Sequence, residues 1–477
     1  MSSTETKAGP PRDRKPKRRL PDLNTVYTIN DDGSRNFLHP ADVKGRFQLR
    51  KNVIFALLLL IYAGVPWIPV GGHPAVHIDL PGRTAYLLGN TFTNQDFYLL
   101  FFLVSGVGFG LFVVTSLWGR IWCGYACPHT VFLEGVYRKI ERLIEGPRDV
   151  RIKRNLGPLT SDKAWRKGVK HAAFVLLAFV NAHIFVAYFI PPRELLTAMT
   201  GDPHEHWAAF VWVTVWTGLL YFNFAWFREQ LCLVICPYGR AQSALVDADT
   251  LVIGYDEKRG EPRSRKSEDG GDCIDCFRCV AVCPTGIDIR NGLQMECVGC
   301  ANCIDACDDI MDRVDRPRGL IRYDSKVGFE EGGRRGFFRP RVFVYGVLGL
   351  IGLGVFTGSM LARSSFEVHV LRARGLPYTL DKGEIRNVYN LRIQNKGEVS
   401  SVYFLTADSE PGDAAAVSPD LVLAQPRLEV PSLGDATTSV IARLQRSDYS
   451  DGFPVTIAVT DSATGRSKTV ELTFRGP

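Results

Sequence analysis

The sequence predicts a multi-domain membrane protein, and three observations support this fold class. Hydrophobic residues make up 46% of the 477 residues, and they are concentrated in blocks, five of which are long and apolar. Eight cysteines lie in two closely spaced runs between the fourth and fifth blocks. After the fifth block, short segments alternate between apolar and polar residues, as in half-buried strands. We therefore expect five transmembrane α-helices, one cysteine-rich module and one C-terminal all-β sandwich.

Each apolar block is long enough to cross a bilayer, which takes about 20 mostly apolar residues. A single block could be a buried core helix, but five blocks with almost no charge indicate membrane spans. Lys170, near a boundary, is the one Asp, Glu, Lys or Arg residue within them. The blocks are approximately Val53–Val70, Phe97–Trp118, Val169–Ile190, Trp207–Trp226 and Val342–Met360.

Lysine and arginine residues predict the orientation, because they concentrate in cytosolic loops. The loops after the first and third spans carry only Arg83 and Arg193, whereas residues 119–168 carry eleven lysines and arginines. Residues 227–341 are also rich in basic residues. The basic first 20 residues lack the apolar core of a signal peptide. We expect the N-terminus and the cysteine-rich module in the cytosol and the C-terminal domain outside.

The cysteine-rich module has the spacing of a bacterial-type ferredoxin, C-x2-C-x2-C-x3-C-P, which binds iron–sulfur clusters. In such tandem runs, the fourth cysteine of each run ligates the other cluster. A zinc site is the alternative, but the double pattern argues against it. Asp308 follows the second run where the first run has Pro284. The expected ligands of two [4Fe–4S] clusters are Cys273, Cys276, Cys279 and Cys307 for one, and Cys297, Cys300, Cys303 and Cys283 for the other.

The other four cysteines form a duplicated motif just beyond the second and fourth spans. The two copies are Cys123-Gly-Tyr-Ala-Cys127-Pro128 and Cys232-Leu-Val-Ile-Cys236-Pro237. If the helices continue, each pair lies on one face, at i and i+4. Four converging thiolates would suit Cu(I), zinc or iron–sulfur chemistry; two redox-active pairs or inert buried cysteines are the alternatives. His129 is a possible extra ligand, although a surface position is the simpler interpretation.

Several histidines are weaker candidates. Residues of two external loops could bind a metal together, with solvated loop residues as the simpler interpretation: His73, His77, Asp79, Asp202, His204, Glu205 and His206. His171, Asn181 and His183 fall on the third span, where polar residues either form interhelical hydrogen bonds or line a functional path such as a quinone pocket.

Seven short strands are predicted after residue 362, which suggests an immunoglobulin-like sandwich. This segment has no cysteine, so we expect it to dock an external partner or to act as a stabilising cap. The predicted strands are Phe366–Arg374, Glu384–Gln394, Ser401–Thr406, Leu421–Leu428, Thr437–Leu444, Pro454–Val459 and Thr469–Phe474.

The predicted domains follow from these observations. They are a basic cytosolic tail (1–51), a four-helix membrane domain with both Cys-x3-Cys-Pro motifs (52–240), a cytosolic 2[4Fe–4S] ferredoxin domain (241–341), a fifth transmembrane helix (342–362) and a periplasmic immunoglobulin-like domain (363–477).

This combination of motifs resembles the cbb3-type cytochrome oxidase accessory proteins called CcoG, FixG or RdxA. The resemblance covers nearly the whole chain, through the two membrane cysteine motifs, the ferredoxin runs and the C-terminal sandwich. It implies a protein of the bacterial inner membrane that reduces Cu(II) to Cu(I) during maturation of the oxidase. Cys123, Cys127, Cys232 and Cys236 would bind and reduce copper, which places them as both catalytic and metal-binding residues.

The implied partners are copper ions, a copper chaperone or exporter, oxidase assembly factors and an unidentified electron donor; no nucleic-acid partner is expected. Two other functions remain open. The first is a quinol-linked electron relay like NapH and NosR, since the membrane cysteine motif also occurs there. The second is a non-enzymatic assembly scaffold whose clusters are structural.

Overall fold

The computed structural model describes residues 37–93, 96–264, 270–332, 339–372, 376–408 and 419–477. The chain divides into two compact units, Met1–Ile68 with Val104–Gly352 and Pro69–Leu103 with Leu353–Pro477. Five helices in the described residues are long and apolar enough to span a membrane, which confirms the predicted number. They cover Arg46–Trp67, Tyr98–Trp118, Ser161–Val186, Trp207–Phe227 and Pro340–Leu361.

Two spans begin earlier than the apolar blocks predict, because polar groups cap them. Helix α1 (Arg46–Gly64) begins before Val53, since the Asp305 carboxylate accepts hydrogen bonds from the backbone N–H groups of Phe47 and Gln48, at 3.2 and 2.7 Å. Helix α7 (Ser161–Val186) begins before Val169, since the Thr160 hydroxyl accepts from the Lys163 N–H. Free N–H groups at a helix start need such acceptors.

The other helices are mostly short. In chain order they are α2 (Phe97–Trp118), α3 (Ile121–Tyr125), α4 (Pro128–Phe132), α5 (Arg138–Glu145), α6 (Arg148–Leu156), α8 (Pro192–Thr200), α9 (Trp207–Phe222), α10 (Pro237–Leu245), α11 (Glu257–Gly260), α12 (Arg278–Ala281), α13 (Asn302–Arg313), α14 (Lys326–Glu331) and α15 (Pro340–Leu361). There are π-helical turns at Leu133–Tyr137, Asn223–Phe227 and Leu231–Ile235, and 3₁₀ turns at Val65–Trp67, Ile289–Asn291 and Arg446–Asp448.

Polar residues of the third span form hydrogen bonds between and within helices. The Tyr62 hydroxyl of α1 donates to the Asn181 side chain at 2.9 Å, and His171 lies 3.0 Å from the Tyr221 hydroxyl of α9. The His183 ring bonds to the carbonyl of Phe179, one turn earlier in its own helix. These contacts match the interhelical interpretation better than a quinone pocket.

The first unit also contains a two-stranded antiparallel sheet within the cysteine-rich module. It pairs β6 (Val252–Tyr255) with β7 (Ile321–Asp324). The module packs onto the end of α2, where the Thr250 hydroxyl donates to the Ser116 carbonyl at 3.0 Å. The cysteine runs are therefore held directly beside the membrane spans.

The second unit contains a two-sheet β-sandwich, as predicted. One sheet has the order β12-β14-β10-β8, with β9 paired to β10, and the other has the order β13-β11-β15-β16. The strands are β8 (Phe366–Arg372), β9 (Thr379–Asp381), β10 (Glu384–Asn395), β11 (Ser401–Asp408), β12 (Asp420–Leu423), β13 (Arg427–Val430), β14 (Asp435–Gln445), β15 (Phe453–Asp461) and β16 (Ser467–Phe474). Alternate residues of both sheets are buried in a shared core, including Ile385, Leu391, Tyr403, Val440 and Ile457.

One strand prediction was wrong. The single strand predicted at Leu421–Leu428 is two strands, β12 and β13, which lie in different sheets. Pro426 lies between them, and a proline without an N–H group cannot continue a ladder of hydrogen bonds. Strand β9 was not predicted, because three residues are too few for a visible alternation.

Two small sheets from the first loop belong to the same unit as the sandwich. One pairs β1 (Pro69–Val70) with β2 (His73–Pro74), and the other contains β3 (Val76–Asp79), β4 (Thr84–Leu87) and β5 (Asn90–Phe92). Buried Asp96, which follows these sheets, forms ion pairs with Arg363 and Lys396, at 2.7 and 3.2 Å. Burial by itself would raise the pKa of Asp96, but a hydrogen bond from the Thr93 N–H and these two cations lower it below its usual value.

Candidate functional site

The two ferredoxin runs share one backbone design. Within each Cys-x2-Cys-x2-Cys stretch, the residue before the second cysteine and the residue after it have positive φ angles. These are Asp275 and Phe277 in the first run (53° and 55°) and Gly299 and Ala301 in the second (68° and 60°). Non-glycine residues rarely adopt this conformation. The repeated turns bend each loop so that three cysteines of one run face the same space.

The thiols fall into two groups by their electrostatic neighbours. Cys307 interacts electrostatically with Cys276 and Cys273, and Cys279 interacts with Cys307 and Cys276. Cys303 interacts most strongly with Cys300, Cys297 and Cys283, and less strongly with Cys279 of the other group. Burial is the main cause that raises the pKa of Cys297 to about 12 and the pKa of Cys300 to about 11. Without a bound cation these two thiols are therefore neutral, and metal binding would displace their protons.

The residues present fit the [4Fe–4S] clusters that the motif implies. Five of the cysteines line one cavity whose other walls are mainly apolar: Cys279, Cys283, Cys297, Cys300 and Cys303. Thiolate sulfur is the usual ligand of such clusters.

Asp308, the residue in place of the usual proline, has a structural role. Its side chain is buried, and its carboxylate accepts a hydrogen bond from the Gly319 N–H at 3.0 Å. Arg46, at the start of α1, lies 3.9 Å from the same carboxylate. The negative charge raises the pKa of neighbouring Cys307, after the larger effect of burial.

We call the four cysteines just beyond the second and fourth spans the membrane-edge cysteines: Cys123, Cys127, Cys232 and Cys236. The spans do not continue as helices through them, so the condition for an i and i+4 arrangement on one helix face is not met. Helix α2 ends at Trp118, and Cys123 lies on the separate helix α3, while Cys127 is the residue before α4. The second copy repeats this arrangement. Cys232 lies on a π-helical turn after a break at Arg228 (φ 51°), and Cys236 precedes α10. In both copies the proline begins the next helix, a position that suits its fixed φ angle.

The two copies come together at the same place. Cys232 has Cys127, Cys123 and Cys236 as its electrostatic neighbours, and burial raises the pKa of its thiol to about 12. Burial also raises the pKa of Cys123 to about 11, although a hydrogen bond with Gln242 of α10 acts in the opposite direction. The amide of Gln242 is fully buried and lies 3.6 Å from the Cys123 sulfur.

Further hydrogen bonds connect the copies. The Arg120 guanidinium, just before Cys123, donates to the Gly239 carbonyl of α10. His129 is part of this connection: its Nε2 lies 2.9 Å from the Arg228 carbonyl, and its ring stacks on Phe224. The interpretation of His129 as a surface residue was therefore wrong, since its side chain packs between the two repeats.

The membrane-edge motif contacts the second ferredoxin run through backbone atoms. A Cβ atom added to Gly124, between Cys123 and Cys127, would lie 2.7 Å from the Gly299 carbonyl oxygen and 2.9 Å from the Cys300 Cα. Only glycine allows this approach. Tyr125 interacts with Tyr323, whose hydroxyl donates to the Gly299 carbonyl at 2.7 Å. Helix α3, just after the second span, thus rests directly on a predicted cluster-binding loop.

Among the described residues, no group of three His, Cys, Asp or Glu side chains is arranged to hold a single metal ion. The four membrane-edge thiols are neighbours, but a single ion would require them to close around it. The described residues of the two loops predicted to be external lack such a group as well: His73 and His77 both stack on the Tyr86 ring, at 3.9 and 5.8 Å.

A buried network of charges supports the membrane-edge motif from one side. Glu141 of α5 is 1% exposed and pairs with Arg228 at 2.9 Å, Arg151 at 3.5 Å and Lys170 at 3.7 Å. Burial alone would raise the pKa of Glu141, but these cations lower it to about 2. Burial lowers the pKa of adjacent His39 to about 4, so its neutral ring adds no charge at pH 7.

Sequence reasoning missed several residues that shape the site. Asp305 caps α1 from the ferredoxin module, and buried Lys51 of α1 donates to the Asn302 side chain beside Cys303. Gln242 belongs to no sequence motif that could have pointed to it. Lys51 could have been noticed, since a lysine next to an apolar block needs a polar partner.

Comparisons with known proteins agree with these features. Residues 227–326 match a family model described as a 4Fe-4S dicluster domain, and residues 99–147 match one described as a 4Fe-4S binding domain. Residues 356–477 match the "IG-like fold at C-terminal of FixG", which confirms the immunoglobulin-like sandwich.

Full-length relatives cover most of the chain. Protein RdxA of Cereibacter sphaeroides is 37% identical over 443 residues, covering 90% of this chain and 92% of the relative. The nitrogen fixation protein FixG of Rhizobium meliloti is 36% identical over 432 residues, covering 80% and 81%. Protein RdxB of Cereibacter sphaeroides is 35% identical over 400 residues, covering 79% and 83%. Identity of this extent, together with the iron–sulfur and sandwich domains, shows that the chain belongs to the FixG/RdxA family of membrane iron–sulfur electron-transfer proteins.

Proposed function

We propose that this chain is a membrane cupric reductase that supplies Cu(I) for assembly of a cbb3-type cytochrome oxidase. Its two [4Fe–4S] clusters would be held by the ligand sets Cys273, Cys276, Cys279, Cys307 and Cys283, Cys297, Cys300, Cys303, and Cu(II) would be reduced at Cys123, Cys127, Cys232 and Cys236. When bound, the clusters supply one-electron storage.

The observation that carries this proposal is the contact of Gly124 with Gly299 and Cys300. It places a thiol pair beside the loop of a predicted cluster ligand, with no intervening side chain. An electron stored in the ferredoxin module would have a short path to the membrane-edge thiols. A scaffold protein would not need this contact.

The membrane-edge thiols suit the product of the reaction. One electron converts Cu(II) to Cu(I), and thiolate sulfur prefers the softer Cu(I) ion. Because burial keeps Cys123 and Cys232 protonated, copper binding would release protons as the thiolates form. An unidentified cytosolic or membrane donor would restore the electron, and a copper chaperone or exporter would accept Cu(I).

The test uses holoprotein with reduced clusters, mixed anaerobically with Cu(II) and a Cu(I)-specific chelator. Stopped-flow absorbance would follow cluster oxidation and Cu(I) formation together. We expect wild-type protein to couple the two signals one to one. A variant with Cys123, Cys127, Cys232 and Cys236 all replaced by serine should keep its clusters but lose the coupling.

Other outcomes would change the conclusion. If the serine variant reduces copper as fast as wild type, copper is reduced elsewhere. If reduced wild-type protein does not react with copper but accepts electrons from quinol, the electron relay is the better function. If neither reaction occurs and oxidase assembly survives loss of the clusters, the chain is a scaffold.

We assign the fourth cysteine of each run to the cluster of the other run, and this assignment makes a separate prediction. Cys303 and Cys307 lie in one run, but we assign them to different clusters. Replacing both with serine should therefore damage both clusters. Replacing Cys273 and Cys307, which we assign to the same cluster, should damage only one.

Iron content and the EPR spectrum of the reduced protein distinguish these variants. We expect the Cys273→Ser/Cys307→Ser variant to keep about half of its iron and one cubane signal, and the Cys303→Ser/Cys307→Ser variant to lose both signals. The reverse result would show that each run binds its own cluster.

We further propose an orientation in the bacterial inner membrane, with the ferredoxin module in the cytosol and the immunoglobulin-like domain in the periplasm. The support is the charge pattern: residues 119–168 carry eleven lysines and arginines, against one in each loop assigned to the outside, and such residues concentrate on the cytosolic side. Copper reduction would then occur at the cytosolic edge of the membrane.

A further inference from the structure

A large cavity lies at the start of α1. Its volume is about 390 Å³, within the range of small-molecule pockets. The loop at residues 40–44, the first turns of α1, and helices α5, α6 and α13 contribute to its walls. All of these segments belong to the first compact unit.

The cavity is strongly basic. Asp42 and Glu134 are its two acidic residues, against five cations, which leaves an excess of three positive charges. The five cations are Lys44, Arg138, Lys139, Arg142 and Arg151.

Not all of this positive charge is neutralised by the protein. Asp42 pairs with Arg142, and both Glu134 and Glu229 pair with Arg138. Glu141, behind the wall, pairs with Arg151. Within the described part of the chain, Lys44 and Lys139 have no carboxylate at ion-pair distance, and Lys139 donates instead to the neutral Asn52 side chain at 3.1 Å. Lys139 also has Arg142 and Lys51 nearby, which, after burial, lower the pKa of its ammonium group.

The deep end of the cavity is formed by two arginines that the protein holds in place. Arg138 and Arg151 are 7% and 3% exposed. Arg138 donates to Glu229 and to the Pro284 carbonyl, and Arg151 donates to the Pro40 carbonyl. These arginines add positive charge to the wall, while the exposed side chains of Lys44 and Lys139 supply the accessible donors.

We propose that this cavity binds a phosphate group, carried either by an anionic lipid headgroup or by a soluble phosphate compound. Phosphate offers several acceptor oxygens and at least one negative charge, and it pairs well with arginine. The position at the end of a membrane span suits a headgroup, since basic pockets at span ends bind anionic lipids. This inference is independent of the copper chemistry proposed above.

The position would bring the ligand close to the predicted cluster loops. Arg138 donates to the carbonyl of Pro284 at 3.1 Å, the residue after Cys283. Asn302, which precedes Cys303, also lines the cavity. A bound phosphate would therefore place negative charge beside the backbone of two cluster ligands.

The test measures binding to detergent-purified holoprotein by isothermal titration calorimetry. The probes are dihexanoyl phosphatidylglycerol, zwitterionic dihexanoyl phosphatidylcholine and inorganic phosphate. The variant is Lys44→Gln/Lys139→Gln, because both side chains are exposed and outside the buried network. The matched control is Lys153→Gln/Lys326→Gln, which removes the same charge from exposed positions outside the cavity.

We expect wild-type protein and the control to bind phosphatidylglycerol at one site, and the Lys44/Lys139 variant to bind roughly 30-fold more weakly, from about 1 kcal/mol for each cation lost. Phosphatidylglycerol binding more tightly than inorganic phosphate would identify a lipid, and equal affinities a soluble phosphate compound. The proposal is overturned if neither anion binds saturably, if phosphatidylcholine binds as tightly as phosphatidylglycerol, or if the two variants behave alike.

Discussion

Replacing Gly124 with alanine is expected to uncouple the membrane-edge thiols from the clusters while both stay in the protein. The new Cβ atom would lie 2.7 to 2.9 Å from three backbone atoms of Gly299 and Cys300. Backbone atoms cannot rotate away, so helix α3 and the cluster loop must separate. Electron transfer slows as the donor and the acceptor move apart, and we expect Cu(II)-dependent cluster oxidation to slow several-fold.

Gly124 lies in helix α3, so the substitution separates loss of the backbone contact from loss of the helix. Alanine favours a helix by roughly 0.5–1 kcal/mol over glycine, so a loss of function cannot come from weaker helix formation in α3. Gly168→Ala is the matched control, because a Cβ atom at Gly168 in α7 would meet nothing within 4 Å. Iron content should stay unchanged in both variants. An unchanged rate of cluster oxidation in Gly124→Ala would show that electron transfer to copper does not depend on this contact.

Glu141→Gln is expected to cause the largest loss of stability. The substitution leaves buried Arg228, Arg151 and Lys170 without the carboxylate that they share. Removing one partner of a buried ion pair costs about 3–5 kcal/mol, because an uncompensated charge stays buried. Denaturant unfolding of the detergent-solubilised protein at pH 7, followed by circular dichroism, measures this change.

Asp162→Asn is the control for Glu141. Asp162 also pairs with an arginine, Arg166, at 2.8 Å, but its side chain is 58% exposed. We expect a loss below about 1 kcal/mol, since exposed ion pairs contribute little. Equal losses for the two variants would mean that burial of the Glu141 network adds nothing.

The pKa of Glu141 gives the sign of the pH dependence. It lies near 2 in the folded protein, against 4.5 as the ordinary value. The stabilisation by Glu141 is therefore complete above about pH 4.5 and is lost as the pH falls towards 2. The free energy of unfolding of wild-type protein should therefore fall on acidification by the contribution of ionised Glu141. The Glu141→Gln variant lacks this contribution at every pH, so its stability should not show this fall.

Patterns in the sequence were sufficient for features that depend on local composition or repetition. Apolar length predicted all five spans, and alternation predicted most strands of the sandwich. The strand predicted at Phe366–Arg374 is β8 (Phe366–Arg372), and its last two positions lie outside the described residues. The duplication of Cys-x3-Cys-Pro predicted two similar structures, and Cys123 and Cys232 do occupy equivalent positions.

Predictions failed where backbone breaks or distant partners decide the structure. The cysteine pairs were expected on continuing helices, but Gly119 and Arg228, both with positive φ angles, end the preceding helices. His129 was expected at the surface, but residues about 100 positions away, Asn223, Phe224 and Arg228, surround its ring. Such partners leave no local pattern to recognise.

The sequence by itself determined the family, the number of spans, the candidate cluster cysteines and the β-rich C-terminal domain, because each of these depends on residue types at fixed local spacings. Only the tertiary structure decided that Gly124 contacts Gly299, that Asp305 caps α1, and that five cations surround one cavity. These features join residues more than 80 positions apart, and their free energy comes from close approach and charge pairing, which no local spacing encodes.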